Sequence, residues 1–347
     1  MQKRLGPTAV VTSRHFLIPS PLASYSCHAS TLVQLPSGDI LVAWFAGSEE
    51  GAADTAIWGA RCVSGHWHDP VLLADSSNLP HWNPVLFRSR SGTLFLFYKV
   101  GFDTRSWKTM VRVSNDDGVN WSIPKELVAG NIGGRGPSKN KPLELPDGTI
   151  LAPGSSEQFL SPQSRVQRWE AFVDRSQDAG ATWSLVSIPM NYDVLSGAEQ
   201  FGAEGIIQPS LIYDSGEVIA FLRSTEGFVY RSRSIDAGRQ WSLAKPLCVP
   251  HNNSGIDAAL IGRTIYLVLN PVSDTSGSPS RTPLCVMSSR DRGDTWQLVR
   301  TLENTPGEYS YPAVIAVGSS LLLTYTWQRL NIVYCRLQIE DDEVDVF

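Results

Sequence analysis

The 347 residues include 42% hydrophobic side chains, enough for a large core, and their formal net charge of −5 argues against the basic face of a nucleic-acid-binding protein. No run of about 18 apolar residues occurs, which excludes a membrane-spanning helix. The five cysteines are scattered singly, and the first residues lack the apolar segment of a secretory signal. We therefore expect reduced thiols and a cytoplasmic protein.

Glycine turns divide the chain into similar units. Each glycine follows or ends a polar turn and precedes an apolar run, as in Gly38 before the run Ile-Leu-Val-Ala-Trp-Phe. Successive turns are 54, 56, 68, 46 and 56 residues apart. A repeat of this length with short apolar runs predicts four strands per unit. The six glycines are Gly38, Gly92, Gly148, Gly216, Gly262 and Gly318.

A second motif, S-x-D-x-G-x-x-W, recurs in phase with these turns. It occupies residues 114–121, 176–183, 234–241 and 289–296, and residues 62–67 keep only its glycine and tryptophan. The aspartate can accept bonds from nearby backbone N–H groups, and the glycine can adopt a positive φ. We expect each copy, called an Asp box below, to form a structural hairpin turn with its tryptophan packed on its own sheet.

Together the repeats predict an all-β fold, a six-bladed β-propeller of four-stranded antiparallel blades, with residues 1–347 as a single domain. Seven blades would need about 50 more residues. A propeller often closes by borrowing a strand from one terminus. We expect residues 10–18 to pair with the last unit near residues 332–337.

The sequence predicts one polar site where the inner strands begin. In a propeller, the first strand of each blade lines the central channel and starts at one common rim. The windows about eight to ten residues before each turn glycine are polar in five of the six units. Polar groups that converge on a concave mouth indicate a binding cleft. These windows contribute His28, Trp82, Asn83, Lys139, Gln208, Asn253 and Tyr309.

Three arginines and one glutamate are expected near the same rim. Arg223 and Arg329 end second strands, Arg281 precedes an Asp box, and Glu50 lies in a glycine-rich loop after a strand. A structural ion pair is the simpler explanation for any one arginine, and a plain polar role is the simpler one for His28. Glu50 can equally face water. The shared phase of these residues favours a functional site.

The Asp boxes resemble those of the sialidase (neuraminidase) superfamily, and the resemblance covers residues 25–337. It implies that Arg223 and Arg281 hold a substrate carboxylate and that Tyr309, in a Tyr-Ser context, matches the nucleophilic tyrosine. Three positions depart from the family pattern. His28-Ala-Ser replaces an Arg-Ile-Pro, Gln208 replaces the activating glutamate, and the acid/base aspartate has no clear match.

Other stretches, such as 138–153 and 308–329, look like a non-sialic branch similar to propeller polysaccharide lyases acting on rhamnose–glucuronate linkages. This resemblance implies β-elimination beside a uronate. We expect His28 as the base, Tyr309 as the proton donor, and Arg223 with Arg281 as the carboxylate clamp. Trp82, Asn83, Lys139, Gln208, Asn253 and Arg329 are then expected to bind the sugars.

Two alternatives stay open. One is an exo-sialidase-type hydrolase with Tyr309 as nucleophile and Glu50 or Glu204 recruited to help it. The other is a glycan-binding propeller without catalysis. The expected partner in each case is an acidic oligosaccharide or polysaccharide, with no nucleic acid or membrane. No cofactor and no metal are expected, because no His, Cys and Asp cluster has ligand spacing.

Overall fold

A computed structural model describes residues 6–19, 25–76, 78–195, 202–273 and 280–340. Within these ranges the chain is built from β-strands, with one short 3₁₀ turn at Tyr192–Val194. No helix in the described ranges is long and apolar enough to cross a membrane. The strands are β1 Thr8–Phe16, β2 Ser26–Gln34, β3 Ile40–Gly47, β4 Ala56–Val63, β5 His66–Trp67, β6 Val71–Ala74, β7 His81–Arg88, β8 Leu94–Val100, β9 Lys108–Ser114, β10 Lys125–Glu126, β11 Leu143–Glu144, β12 Ile150–Phe159, β13 Gln167–Ser176, β14 Ser184–Ser187, β15 Ala203–Asp214, β16 Glu217–Ser224, β17 Phe228–Ser234, β18 Lys245–Pro250, β19 Asp257–Ile261, β20 Thr264–Leu269, β21 Leu284–Ser289, β22 Gln297–Glu303, β23 Tyr309–Val317, β24 Ser320–Trp327 and β25 Asn331–Glu340.

The strands form antiparallel sheets arranged around a common centre. Four sheets have the strand orders β1-β25-β24-β23, β2-β3-β4-β5, β10-β9-β8-β7 and β19-β20-β21-β22. In the second of these, β6 also pairs with β4. The remaining eight strands, β11 to β18, form two antiparallel halves joined by a short parallel pairing of residues 167–169 with 203–205. Strand β2 packs between β7 and β23, and β19 packs between β15 and β23. The predicted all-β, propeller-like fold is confirmed.

The first strand closes the arrangement on the last sheet. Strand β1 pairs antiparallel with β25, from Thr8 opposite Glu340 to Phe16 opposite Val333. The predicted pairing of residues 10–18 with the end of the chain is therefore confirmed. This pairing shields an edge of β25 that would otherwise be exposed.

The apolar core is divided into clusters that lie between neighbouring sheets. In one of them, Phe95 and Phe97 of β8 pack with Ile150 of β12. In another, Ile219 and Phe221 of β16 pack with residues of β19 and β20. Since each sheet has apolar residues on both faces, each is held by its two neighbours.

Each Asp box forms the expected hairpin turn. In the copy at residues 114–121, the Ser114 hydroxyl donates to Asp116 at 2.7 Å and accepts from the backbone N–H of Gly118 at 2.8 Å. Asp116 also accepts from the backbone N–H of Asn120 at 2.9 Å. Both central residues, Asp117 and Gly118, have positive φ, as a type I′ turn requires.

The tryptophans of the Asp boxes pack differently from the prediction. Trp296 meets Phe221 of the preceding sheet edge-on, with ring centroids 5.5 Å apart, and Trp183 meets Phe97 in the same way at 6.4 Å. The expectation that each tryptophan packs on its own sheet was wrong. The hairpin extends past its own sheet, so its side chains reach across the gap and tie adjacent sheets together.

A buried aspartate connects the inner strands at the centre. Asp257 accepts from Lys141 at 2.8 Å, from the Ser210 hydroxyl at 2.7 Å and from the backbone N–H of Val314 at 2.8 Å. Burial alone would raise the pKa of Asp257, but Lys141 and Lys139 beside it hold that pKa below its usual value. The carboxylate therefore stays charged and joins four inner segments.

The close contact between an Asp-box glycine and the preceding sheet can be tested with two matched variants. A Cβ on Gly293 would lie 2.9 Å from the Phe221 ring, whereas a Cβ on Gly216 would meet nothing within 4 Å. Both glycines have nearly the same φ, 90° and 88°. We expect Gly293→Ala to lower the unfolding free energy by about 1–3 kcal/mol more than Gly216→Ala, as measured by denaturant titration. Equal losses of unfolding free energy in the two variants would show that backbone strain alone, and not the contact with Phe221, causes the destabilisation.

Candidate active site

The inner strands share a repeated irregularity at the centre of the molecule. The register shifts between His28 and Thr31 in β2, and equivalent shifts occur in β7, β15 and β23. At each shift one non-glycine residue adopts a positive φ, which is uncommon and strained. Such bulges re-aim side chains beside active sites. These residues are Ala29, Asn83, Gln208 and Tyr311, with φ of 52°, 44°, 53° and 52°, joined by Asn253 just before β19, with φ of 64°.

Tyr311 occupies the middle of this group. Its hydroxyl oxygen accepts a hydrogen bond from Arg223 Nη1 at 2.8 Å. Its ring packs on His28 with centroids 4.2 Å apart, and the guanidinium carbons of Arg223 and Arg281 each lie 5.6 Å from the ring centroid. Tyr311 therefore brings together three residues that the sequence predicted to share one rim.

Tyr309 does not belong to this group, which corrects its expected placement. The side chain is only 2% exposed and lies in the core against Trp327. Its hydroxyl is bonded to Thr305 Oγ1 at 2.8 Å and to Gln328 Nε2 at 3.0 Å. The bulge between Ser310 and Ala313 breaks the simple alternation of the strand, so Tyr311 reaches the centre instead.

Arg223 is a buried cation held by neutral groups. It is 7% exposed and donates to the Asn253 side chain at 3.1 Å, to the Asn253 carbonyl, and to Gln208 Oε1 at 3.2 Å. Within the described chain no carboxylate lies at ion-pair distance from its guanidinium. A buried charge without a counter-charge is costly, so this position is suited to bind an anion.

Arg281 and Arg329 differ from Arg223 because carboxylates already balance their positive charges. Both donate to Glu308 Oε1 at 2.7 Å, and Arg329 also pairs with Glu50. Arg281 further donates to the Ser310 hydroxyl at 3.1 Å. Glu50 is thus half of an ion pair at the edge of the site.

His28 lies directly behind Tyr311. It is 2% exposed, and its Nδ1 is 2.9 Å from the Thr326 hydroxyl. Burial, together with the positive charges of Arg329 and Arg281, lowers the pKa of His28 well below its usual value. The imidazole is therefore neutral at neutral pH, and the Tyr311 ring packs against it on the side of the cleft.

An open cleft of about 350 Å³ lies in front of Tyr311 and Arg223. Asn83 and Gln208 line it as predicted, and so does Trp82, whose indole packs against Trp107 with centroids 5.5 Å apart. Apolar indole faces beside a few fixed polar groups are typical of a sugar-binding cleft.

Lys139, expected to bind sugar hydroxyls, is directed away from this cleft. Its buried ammonium group donates to the carbonyl of Ile256 at 2.8 Å, to the carbonyl of Pro312, and to the Asn140 side chain at 2.9 Å. Burial lowers the pKa of Lys139 to about 7. Its three donors are engaged with protein acceptors, so it supports the Tyr311 bulge from below.

Several lining residues were missed by the sequence reasoning. Tyr311 lies seven residues before Gly318, one position outside the windows of eight to ten residues, although like Asn83 and Gln208 it precedes a proline. Glu157 and Trp169 come from the extended β12–β13 hairpin and enter the cleft from the side. Glu204, considered as an alternative base, instead pairs with Arg168 at 2.6 Å and does not line the cleft.

The described residues contain no group of three or more His, Cys, Asp or Glu side chains placed to hold a metal ion.

Comparison with known proteins places the chain in a family. Residues 38–323 match the model of the BNR repeat-like domain, so the chain belongs to this family of Asp-box proteins. No curated protein sequence matches it.

Solved structures with the same fold include a protein of unknown function from Dyadobacter fermentans, with a TM-score of 0.75, 15% identity, and coverage of 96% of this chain and 99% of that one. Trypanosoma rangeli sialidase gives a TM-score of 0.68 at 13% identity, covering 96% of this chain but 59% of its own. The intramolecular trans-sialidase of Ruminococcus gnavus gives 0.65 at 12% identity, with 91% and 94% covered. At these identities the similarity shows the fold alone.

The neutral state of His28 has a measurable effect on stability. Below about pH 6.5 the unfolded chain protonates this histidine while the folded protein does not, so the unfolding free energy of the wild type falls as the pH drops. We expect His28→Gln to reduce this slope by up to about 1.4 kcal/mol per pH unit. Denaturant titrations between about pH 5 and 8 measure it.

His66→Gln, which replaces an exposed histidine at the start of β5, is the control and should leave the slope of the wild type unchanged. Identical slopes for wild type and His28→Gln would contradict the neutral, buried imidazole.

Proposed function

We propose that the protein is a carbohydrate-active enzyme that cleaves a glycosidic bond at an acidic sugar. The observation that supports it is Arg223, a buried cation without a carboxylate partner that also holds the Tyr311 hydroxyl at the cleft. We further propose six blades, because the eight strands β11 to β18 divide into two antiparallel halves of four.

The carboxylate of the substrate would bind between Arg223 and Arg281. Arg223 has no carboxylate partner, and the guanidinium carbons of Arg223 and Arg281 both lie 5.6 Å from the Tyr311 ring centroid. The sugar ring would stack on the indoles of Trp82 or Trp169, with Asn83 at its hydroxyls. This placement brings the carbon that carries the carboxylate next to the Tyr311 oxygen.

The favoured reaction is β-elimination beside a uronate. Tyr311 acts as a phenolate, its own proton having left to water, with its oxygen held by Arg223. The phenolate oxygen takes the proton α to the carboxylate, the electron pair of that C–H bond forms a carbon–carbon double bond, and the bond to the glycosidic oxygen breaks. Negative charge develops on the carboxylate as the proton leaves, and Arg223 is placed to stabilise it. Gln208, which lacks a basic group, leaves this tyrosine without the neighbouring carboxylate of the sialidase pattern.

The second candidate is hydrolysis of a sialic acid or related 2-keto acid with Tyr311 as nucleophile, favoured by the fold shared with sialidases. This reaction develops positive charge at the anomeric carbon. Arg223 would bind the substrate carboxylate in either reaction, but only elimination develops further negative charge on that carboxylate for Arg223 to stabilise. We therefore place elimination first.

Purified protein should be incubated with oligosaccharides ending in rhamnose–glucuronate and, separately, with an aryl sialoside. Elimination yields an unsaturated uronate that absorbs in the ultraviolet, whereas hydrolysis releases the phenol. We expect the first signal, and we expect Tyr311→Phe to reduce its rate by about 10²–10⁴-fold because the proton acceptor is lost.

Tyr309→Phe is the matched control, since it removes a hydroxyl two residues away that is bonded only within the core. Its rate should remain near that of the wild type, with a small loss of stability. Phenol release without ultraviolet absorbance would replace elimination by hydrolysis. Binding of both sugars without turnover would establish a glycan-binding module instead.

A further inference from the structure

Glu157 enters the cleft from an element outside the inner strands. It lies near the end of β12, directly opposite Trp169 on β13. Both side chains line the cleft that Tyr311 and Arg223 also line. The extended hairpin β12–β13 therefore places a carboxyl group beside the proposed reaction centre.

The other carboxyl groups of the cleft are engaged in ion pairs. Glu50 is 41% exposed and pairs with Arg329, and Asp103 is 46% exposed and pairs with Arg105. Both are thus solvated and already engaged with a cation.

Glu157 has a different environment. Within the described ranges no cation lies at ion-pair distance from it, and its hydrogen bond is to the neutral side chain of Thr104. Burial raises the pKa of Glu157 above its usual value, against the opposing influence of Arg223. A carboxyl group in such a position retains its proton to a higher pH than a fully solvated one does.

We propose that Glu157 is the general acid that protonates the leaving glycosidic oxygen. This role rests on the proposed function, which names the group that takes the α proton, and it adds the group that gives a proton to the leaving oxygen. As the carbon–oxygen bond breaks, its electron pair stays on the oxygen, which takes the proton of Glu157 while the Tyr311 phenolate oxygen accepts the proton α to the carboxylate. One proton is taken up and one is released, so the protein returns to its starting state after one proton exchange with water.

The alternative is a positioning role, in which Glu157 holds the loop of Thr104 against the hairpin through its hydrogen bond. A general acid and a positioning residue differ in their dependence on the leaving group. A leaving group that is stable as an anion needs no proton, whereas a sugar hydroxyl does.

The test compares two glucuronates that differ only at the eliminated position, one carrying a sugar and the other a nitrophenol. Wild type, Glu157→Gln and the control Glu170→Gln, an exposed residue next to Trp169, are measured on both. We expect Glu157→Gln to lose about 10²–10⁴-fold in kcat with the sugar and less than about tenfold with the nitrophenol. Glu170→Gln should match the wild type on both.

The pH profile supplies a second readout. With the sugar leaving group, the wild-type rate should fall as the pH rises through the pKa of Glu157, because the acid must be protonated. Glu157→Gln should lack this alkaline decline. If Glu157→Gln folds poorly, Glu157→Ala with added formate replaces it, and recovery of the rate by formate supports the role.

Equal losses on both substrates, with no recovery by formate, would show that Glu157 only positions the loop and would leave the proposed function intact. Should the wild type turn over neither glucuronate but hydrolyse an aryl sialoside, the same variants are compared on two sialosides. One of these has a sugar and the other a nitrophenol as the leaving group at the anomeric carbon. Absence of turnover by the wild type on every substrate would overturn the proposed function and this role with it.

Discussion

The buried guanidinium of Arg223 is the group on which the central cleft depends. It donates to Gln208, Asn253 and Tyr311, which come from three different inner segments and all have positive φ. Its hydrogen bonds offset the backbone strain that brings these side chains together. Because all its partners are neutral, the charge itself stays uncompensated, and the folded protein presents a fixed positive potential to any anion that enters.

Two kinds of repeated irregularity have separate effects in this fold. The Asp boxes lie at the hairpin tips, where Gly293 and Trp296 pack on Phe221 of the sheet before them. The bulges lie in the inner strands and set the direction of side chains such as Tyr311. The first kind determines how neighbouring sheets are spaced, and the second determines which groups meet in the cleft. The chemistry can therefore differ between relatives that keep the same Asp boxes.

Much of the fold and part of the site could be predicted from the sequence. The strand repeat, the Asp-box turns and the closing strand β1 follow local rules of periodicity and turn chemistry, and Arg223 and Gln208 were found because they keep the phase of the repeat. Tyr311 was missed because a bulge breaks the alternation that such counting assumes. Glu157 was missed because a long hairpin approaches the cleft from outside the repeat.

The pairing of β1 with β25 has a consequence for the order of folding. Thr8 lies opposite Glu340, so this sheet cannot be completed until nearly the whole described chain has been synthesised. The loop that the contact closes is long, and contacts of this kind form late and slowly. The earlier sheets can assemble as they leave the ribosome, but during that time the edge of β1 that will pair with β25 stays open to other chains. A nascent chain would thus benefit most from a chaperone just before its last strand emerges.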